Sequence, residues 1–188
     1  MDIGTGDGLF VYRLARSKPT QFFVGIDSST RPLQKISQKI CRRLKKGGAP
    51  NLLFIQASVE CLPEELKRIA NEVHVHFPWG SLLRAVALGE PNTLTGIRRV
   101  CAPDAILKLT IGLDAQRDNS EILRLGLKPL SANFVNGELR ERYLAAGFEM
   151  IEVPFSSLVA WPGLSTSWAK RLRVIKARQI ICLLAKAV

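Results

Sequence analysis

Short apolar runs alternate with helical patterns along the whole chain, and this alternation constrains the fold more than any other feature. Apolar, β-rich runs predict strands over 21–26, 51–57, 72–77, 105–111, 149–155 and 179–186. Helices are predicted over 9–17, 32–46, 64–70, 81–88, 93–100, 138–146 and 167–173. Strands alternating with helices predict an α/β fold, a mostly parallel sheet covered by helices on both faces. A chain of 188 residues fits one domain over 1–188.

The chain is strongly basic, with a formal net charge of +11 and an isoelectric point near 10. A surplus of this size favours a polyanionic partner such as nucleic acid, although a basic surface kept for solubility remains the alternative. No run approaches the roughly 20 apolar residues that a membrane span needs, and no secretory signal is visible. We therefore expect a cytoplasmic protein without a membrane partner, and a monomer.

A glycine-rich motif, Asp2-Ile3-Gly4-Thr5-Gly6-Asp7-Gly8, stands before the first predicted helix. Glycines at alternating positions allow the backbone to turn tightly against a nucleotide-like ligand, although a structural turn is the alternative. Asp27 ends the next strand 21 residues after Gly6, at a spacing where an acid can accept hydrogen bonds from ribose hydroxyls. The alternative for Asp27 is an N-cap of the following helix, a role that Ser28 could also fill.

The fourth predicted strand ends in His76-Phe77-Pro78-Trp79-Gly80-Ser81, at the edge of the sheet where open α/β folds bind ligands. This segment has no acid or amide to activate an exocyclic amine. A ring nitrogen such as N1 of adenine already carries an in-plane lone pair and is a nucleophile without activation. For such an acceptor, stacking of the base and alignment of the nitrogen with the reacting group could suffice. Trp79 suits such stacking, with a core position as the alternative.

Basic residues recur every three or four positions through the predicted helix 32–46, opposite a stripe of Leu33, Ile36, Ile40 and Leu44. No acid occurs between Asp27 and Glu60, so this face favours phosphate binding over a mixed solvated surface. The basic residues concerned are Lys35, Lys39, Arg42, Arg43 and Lys46.

A second tryptophan, Trp168, precedes a basic run near the C-terminus that includes Arg171, Lys176 and Arg178. Aromatic and basic side chains together suit an extruded base and its flanking phosphates. His74 and His76 would share a strand face, but no further ligand cluster accompanies them and the four cysteines form no CxxC pair. We predict no metal site.

With these residues in view, the chain resembles the aminoglycoside-resistance 16S rRNA (adenine-N1) methyltransferases of the Kam and Npm type. The most distinctive shared segments are Phe77-Pro78-Trp79-Gly80-Ser81-Leu82-Leu83 and Ser167-Trp168-Ala169-Lys170-Arg171-Leu172. The resemblance implies a seven-stranded, doubly wound, Rossmann-like class I methyltransferase sheet with S-adenosylmethionine as cofactor. It also implies methylation at N1 of adenine 1408 in 16S rRNA of the assembled 30S subunit, and hence aminoglycoside resistance.

The resemblance carries over to individual positions. It implies a cofactor pocket formed by Asp2, Gly4, Gly6, Asp27, Val59, Glu60, Ser81 and Thr166. Trp79 and Trp168 would act as the catalytic pair that sandwiches the flipped adenine. Docking on rRNA would use Lys39, Arg42, Arg43, Lys46, Arg171, Lys176 and Arg178.

One departure concerns the first strand, which family members complete with an N-terminal extension that includes a hairpin. This chain starts at the last residues of that strand, so we expect the strand to be largely missing and the given start to be late or the chain a fragment. Two alternatives remain open: another RNA methyltransferase, such as a tRNA guanine-N7 enzyme, and a catalytically impaired RNA-binding module.

Overall fold

A computed structural model describes residues 1–152, 155–156 and 179–188. Its strands are β1 (Asp2–Ile3), β2 (Phe23–Asp27), β3 (Leu52–Gln56), β4 (Ala70–His76), β5 (Cys101–Leu113), β6 (Phe148–Glu152), β7 (Phe155–Ser156) and β8 (Gln179–Ala187). They form one sheet in the order β3-β2-β1-β4-β5-β8-β6, and β7 pairs with β8. Strands β1 to β5 run parallel, whereas β8 is antiparallel to β5 and β6. The predicted seven-stranded, mostly parallel α/β sheet is confirmed, with β7 as a short addition.

The central strand β1 has two residues, as expected from the resemblance. It pairs on both sides, with Asp2 opposite Gly25 of β2 and His74 of β4. The chain passes from β1 to β2 on one side and later to β4 on the other, so the strand order reverses beside β1. A crevice for ligands opens at such a reversal, beyond the carboxyl ends of the strands.

The helices are α1 (Leu9–Ser17), α2 (Gln34–Ile40), α3 (Gly80–Leu88), α4 (Pro91–Val100), α5 (Asn119–Leu125), α6 (Ala132–Phe134) and α7 (Arg140–Ala145), with a π-helical segment Val135–Leu139 between the last two. Short 3-10 segments cover Arg31–Leu33, Leu44–Lys46, Val59–Cys61 and Glu64–Leu66. The predicted helices 9–17, 81–88 and 93–100 are confirmed within two residues. The prediction of a helix over 64–70 is wrong beyond Leu66, because Ala70 already starts β4. The predicted helix 167–173 lies outside the described residues.

The prediction of one amphipathic helix over 32–46 is also wrong. Helix α2 ends at Ile40, and the chain then folds back, with the Ala49 N–H donating to the Ile40 carbonyl at 3.0 Å. Leu33 and Ile36 are buried as predicted, but Leu44 is 59% exposed. The basic residues therefore do not share one helix face. Lys35 and Lys39 lie on α2, Arg42 and Arg43 in the turn that follows, and Lys46 in a 3-10 segment.

Two hydrophobic clusters cover opposite faces of the sheet. On β2, Phe23 belongs to the smaller cluster with α1 and α2, whereas Val24 and Ile26 belong to the larger one with α3 and α4. Since successive strand residues point to opposite faces, this assignment places helices on both sides. Within the described residues, no helix is both long and apolar enough to cross a membrane.

Candidate active site

The glycine motif forms a tight loop between β1 and α1. The N–H groups of Gly4 and Thr5 both donate to the Ile26 carbonyl, at 2.8 and 3.0 Å. Gly8 has φ +67°, and a Cβ there would lie 2.6 Å from the Phe54 ring. Gly6 also has a positive φ, of +59°, but a Cβ there would meet nothing within 4 Å. The loop is therefore tightly packed against Phe54 at Gly8, whereas the space next to Gly6 is open.

Asp27 ties this loop to the end of β2. Its Oδ2 accepts from the Gly6 N–H at 2.8 Å, and its Oδ1 accepts from the Ser29 N–H at 2.9 Å. The alternative role as a helix N-cap is not what the structure shows, because Thr30 is the N-cap of the next helical segment and makes no side-chain cap bond. A carboxylate has about four acceptor positions, so two backbone donors leave capacity for further hydroxyl donors.

Asp2 is buried at the floor of the crevice, where its side chain is paired with a hydroxyl. The Thr5 hydroxyl donates to Asp2 Oδ2 at 2.5 Å. Burial outweighs this hydrogen bond and raises the pKa of the Asp2 carboxyl to about 7. A cation bound beside Asp2 would therefore be matched by a carboxylate that ionises at neutral pH.

Glu60 lies in the 3-10 segment that follows β3, held by helix α4. The Thr93 hydroxyl donates to Glu60 Oε1 at 2.7 Å, and this bond lowers the pKa of Glu60 below its usual value. The helix comes this close because Gly96 has no side chain: a Cβ there would lie 2.3 Å from the Val59 carbonyl oxygen. Thr93 thus fixes one oxygen of Glu60, and because a carboxylate has about four acceptor positions, acceptor capacity remains for a ligand donor.

Trp79 stands at the carboxyl end of β4, in a turn with two unusual backbone conformations. Phe77 has φ +50°, rare for a residue with a side chain, and Gly80 has φ +59°. Trp79 itself is 48% exposed, so its alternative role as a core residue is wrong. Ser81 follows it in the first turn of α3 and is exposed.

A chain of hydrogen bonds runs along β4 behind this turn, from the partly exposed Glu72 to the buried His74 and His76. Glu72 has a pKa lowered to about 2 by the hydrogen bond from His74, whose Nε2 lies 2.6 Å from it. Burial lowers the pKa of both His74 and His76, so both rings are neutral at pH 7. His74 Nδ1 must then accept from His76 Nε2–H at 2.9 Å, and His76 Nδ1 from the Thr110 hydroxyl at 3.0 Å.

The ring nitrogens of His74 and His76 are therefore used in hydrogen bonds to each other, to Glu72 and to Thr110. Within the part of the chain that the structure describes, no group of three or more His, Cys, Asp or Glu side chains is arranged to hold a metal ion.

One cavity of about 500 Å³ brings these features together at the carboxyl ends of β1, β2, β3 and β4. It is lined by every described residue that was predicted to bind the cofactor: Asp2, Gly4, Gly6, Asp27, Val59, Glu60 and Ser81. Trp79 and His76 line it as well. Its described lining holds four carboxylates, those of Asp2, Asp7, Asp27 and Glu60, and neither lysine nor arginine. Such a volume and charge suit a drug-sized ligand that carries positive charge.

The predicted RNA-binding residues of the first half lie outside this cavity. Arg42, Arg43 and Lys46 are exposed, and Lys39 is partly covered because its Nζ lies 4.6 Å from the centre of the Tyr12 ring. Five predicted site residues lie outside the described residues: Thr166, Trp168, Arg171, Lys176 and Arg178.

The sequence analysis missed Thr5, Thr93 and Phe54. Thr5 and Thr93 donate hydrogen bonds to the lining residues Asp2 and Glu60, and Phe54 packs against the glycine loop at Gly8. Thr93 is 33 positions from Glu60, and Phe54 is 46 positions from Gly8, so no local spacing could have linked them. Thr5 lies inside the glycine motif and could have been found there, as a hydroxyl placed three residues after a buried acid.

Comparison with known proteins agrees with this geometry. The family described as "NpmA: 16S rRNA (adenine(1408)-N(1))-methyltransferase" matches residues 1–187. A 16S rRNA (adenine(1408)-N(1))-methyltransferase of Streptoalloteichus tenebrarius is 36% identical over 179 residues, which are 95% of this chain and 81% of the relative.

Two solved structures are also similar over the whole of this chain. The aminoglycoside resistance methyltransferase NpmB1 is 42% identical with a TM-score of 0.87, and 85% of it is covered. A mutant 16S rRNA (adenine(1408)-N(1))-methyltransferase from Catenulisporales acidiphilia, solved with its cosubstrate SAM, is 34% identical with a TM-score of 0.88, and 84% of it is covered.

Proposed function

The chain belongs to the 16S rRNA (adenine(1408)-N(1))-methyltransferase family, and we propose that it methylates N1 of adenine 1408 in the decoding site of the 30S subunit, with S-adenosylmethionine as methyl donor. The observation that carries this proposal is the cavity at the switch point of the sheet, acidic inside and bordered by the half-exposed Trp79. The cofactor supplies an electrophilic methyl group on a positively charged sulfur.

The residues of the cavity fit this cofactor. Four carboxylates line it and no described lining residue is basic, which favours a ligand with sulfonium and ammonium charges. We assign Asp27 to the ribose hydroxyls, since both its oxygens are already oriented by backbone N–H groups. Glu60 can accept from the exocyclic amine of the cofactor's adenine, and Asp2 can balance positive charge. Gly4, Gly6, Val59 and Ser81 complete the site, with Thr166 at its edge.

The acceptor base is held by stacking. We propose that Trp79 and Trp168 sandwich the flipped adenine, a contact worth about 1–3 kcal/mol per stacked base. N1 has an in-plane lone pair at neutral pH, so the protein needs to align it and exclude water but does not need a general base. The neutral His76 ring at the cavity agrees with this, since a protonated ring there would repel a cationic cofactor.

The product has a positive charge at N1 and a blocked hydrogen-bonding edge. We propose that this change prevents aminoglycosides from using that edge and thereby causes resistance. We further propose that the enzyme is a cytoplasmic monomer, folded as one domain over 1–188. Docking on the assembled 30S subunit would use Lys39, Arg42, Arg43, Lys46, Arg171, Lys176 and Arg178.

Primer extension on 16S rRNA tests the proposal. Purified 30S subunits are incubated with the protein and S-adenosylmethionine, and a methyl group at N1 then stops reverse transcription because it blocks base pairing. We expect a stop at adenine 1408 with the wild-type chain and none with Trp79→Ala, although this variant should bind the cofactor within about threefold of wild type.

A stop at another nucleotide would assign a different target site within 16S rRNA. Cofactor binding without any stop would contradict the proposal, and absence of cofactor binding in calorimetry would favour a catalytically impaired RNA-binding module. Full activity of both Trp79→Ala and Trp168→Ala would overturn the stacking assignment.

A further inference from the structure

A compact turn over residues 41–48, here called the basic turn, follows helix α2. Four of its side chains are cationic and exposed: Arg42, Arg43, Lys45 and Lys46. Its backbone is closed by its own hydrogen bonds, from Lys46 N–H to the Arg43 carbonyl at 2.8 Å and from Gly48 N–H to the same carbonyl at 3.1 Å. The basic turn is therefore a folded unit that presents positive charge to solvent.

Two side chains of helix α1 hold this turn by donating hydrogen bonds to the backbone carbonyl groups of the turn. Arg16 Nη1 donates to the Gly48 carbonyl at 2.8 Å and to the Leu44 carbonyl at 3.2 Å. The Tyr12 hydroxyl donates to the Gly47 carbonyl at 2.8 Å. The Tyr12 ring also lies under the ammonium group of Lys39, so Tyr12 contacts both helix α2 and the basic turn.

Steric fit limits the turn to this conformation. A Cβ on Gly48 would lie 1.7 Å from the Arg42 carbonyl oxygen, which means that only glycine allows the chain to fold back here. Asn51, just beyond the turn, donates from Nδ2 to the carbonyls of Ala15 in α1, of Lys18 directly after α1 and of Gln21, at 3.0, 3.2 and 2.9 Å. The turn is thus fixed to α1 at its middle and at its end.

Arg16 has a different role from the cations around it. By composition alone it counts as one more positive charge for RNA. Its guanidinium nevertheless points donors at two peptide carbonyls of the turn, and a group engaged in this way has fewer donors left for a phosphate. Contacts to phosphates fix the register of a protein on RNA, and their net effect is larger when the contacting backbone is already ordered.

We propose that Arg16 and Tyr12 are positioning residues, which hold the basic turn in the conformation that docks on the rRNA backbone, and that Lys45 belongs to the docking surface. This inference rests on the proposed function, because it assumes that rRNA is the polyanion. On this proposal, the turn is a rigid element that is formed before RNA binds. Its exposed cations would contact RNA, whereas Arg16 contacts the backbone of the turn.

A charge-conserving substitution tests this. Arg16→Lys keeps the charge, but its side chain ends one bond short of the Nη1 atom that donates to both carbonyls. We therefore expect its affinity for 30S subunits to fall about tenfold, as for Arg16→Gln, through loss of charge-assisted hydrogen bonds. The KM for subunits should rise by the same factor while kcat and cofactor affinity stay at wild-type values. Lys18→Gln removes an exposed charge from the end of α1 without touching the turn and is the matched control, expected within about twofold.

Wild-type subunit affinity of Arg16→Lys, with or without a defect in Arg16→Gln, would overturn the proposal, because charge alone would then explain Arg16. If both variants also lost cofactor binding, Tyr12→Phe would decide. Loss of subunit affinity with cofactor binding retained supports the proposal, and wild-type affinity overturns it. The proposed function is tested separately by the wild-type primer-extension stop, which does not depend on Arg16.

Discussion

The cofactor cavity and the basic turn lie close together in the sequence but have opposite charge. The cavity contains Asp27 and Glu60, and the 32 residues between these two acids include no other acid and hold the whole basic turn. Under the proposed function, one connection would therefore serve a small cation at the carboxyl ends of β2 and β3 and a polyanion at the turn. Along the chain, helix α2 separates the turn from Asp27 and strand β3 separates it from Glu60, so we expect that each region can be changed without altering the other.

The two regions are also held in different ways. In the cavity, the charged groups themselves are fixed: backbone N–H groups orient Asp27, and hydroxyls orient Asp2 and Glu60. In the turn, the backbone carbonyls are fixed and the charged side chains remain exposed. Fixed carboxylates select one ligand geometry, whereas exposed cations on a fixed backbone fit the repeating charge of phosphates. The comparison predicts that defects in the two regions are separable.

The largest expected effect comes from charge reversal in the turn. The double variant Arg42→Glu, Arg43→Glu should weaken 30S binding by about 100-fold or more at 0.1 M salt and reduce the salt dependence of binding, with cofactor affinity unchanged. Lys67→Glu, Arg68→Glu reverses two exposed charges elsewhere and should bind subunits nearly as wild type. Equal affinity of the two double variants, measured by subunit pelleting across a salt series, would remove the turn from the docking surface.

The reciprocal change is Asp27→Asn in the cavity. An amide cannot accept from both the Gly6 and Ser29 N–H groups, so cofactor affinity should fall about 30-fold by calorimetry, while 30S affinity remains that of wild type. Asp104→Asn, at an exposed acid outside the cavity lining, is the matched control. A similar loss in both variants would show that Asp27 has no particular role in the site.

A smaller effect concerns pH. Because the pKa of Asp2 is raised to about 7 and a cation binds its ionised form better, cofactor affinity should fall about tenfold from pH 7.5 to pH 6. Stability of the cofactor-free protein has the opposite sign: the contribution of Asp2 is fully present below the unfolded pKa of about 4 and is lost as pH rises through 7. Calorimetry on Asp2→Asn should give a flat profile; a flat wild-type profile would contradict the assignment.

The smallest effect tests the support behind Glu60. Thr93→Val removes the hydroxyl and should weaken cofactor binding about fivefold, whereas Thr93→Ser should retain wild-type affinity. The loss should vanish for an S-adenosylhomocysteine analogue dimethylated at the adenine 6-amine, which has no hydrogen to donate to Glu60. A fivefold loss that persists with this analogue would assign Thr93 to packing.

Local patterns in the sequence predict most of the cavity but not the turn. Glycine spacing, the acid at the end of β2 and the tryptophan after β4 depend on neighbours in sequence, so these residues were found from sequence alone. Helix α2 ends at Ile40 instead of Lys46 because Arg16 and Tyr12, about 30 positions earlier, hold the chain in a turn. Such long-range contacts leave no periodic trace, and an apolar residue such as Leu44 then reads as buried although it is exposed.

The Phe54 ring has a consequence for how such an enzyme can change. This ring packs where Gly8 and Gly25 lack side chains, at 2.6 and 2.7 Å from the positions of their missing Cβ atoms, and β3 is at the edge of the sheet formed by the described strands. At Gly8, the glycine loop therefore packs against an aromatic side chain from the border of the sheet, where substitutions disturb fewer neighbours. We expect that natural drift or directed evolution at position 54 shifts the loop and so tunes cofactor affinity, while every residue proposed to touch the cofactor stays the same.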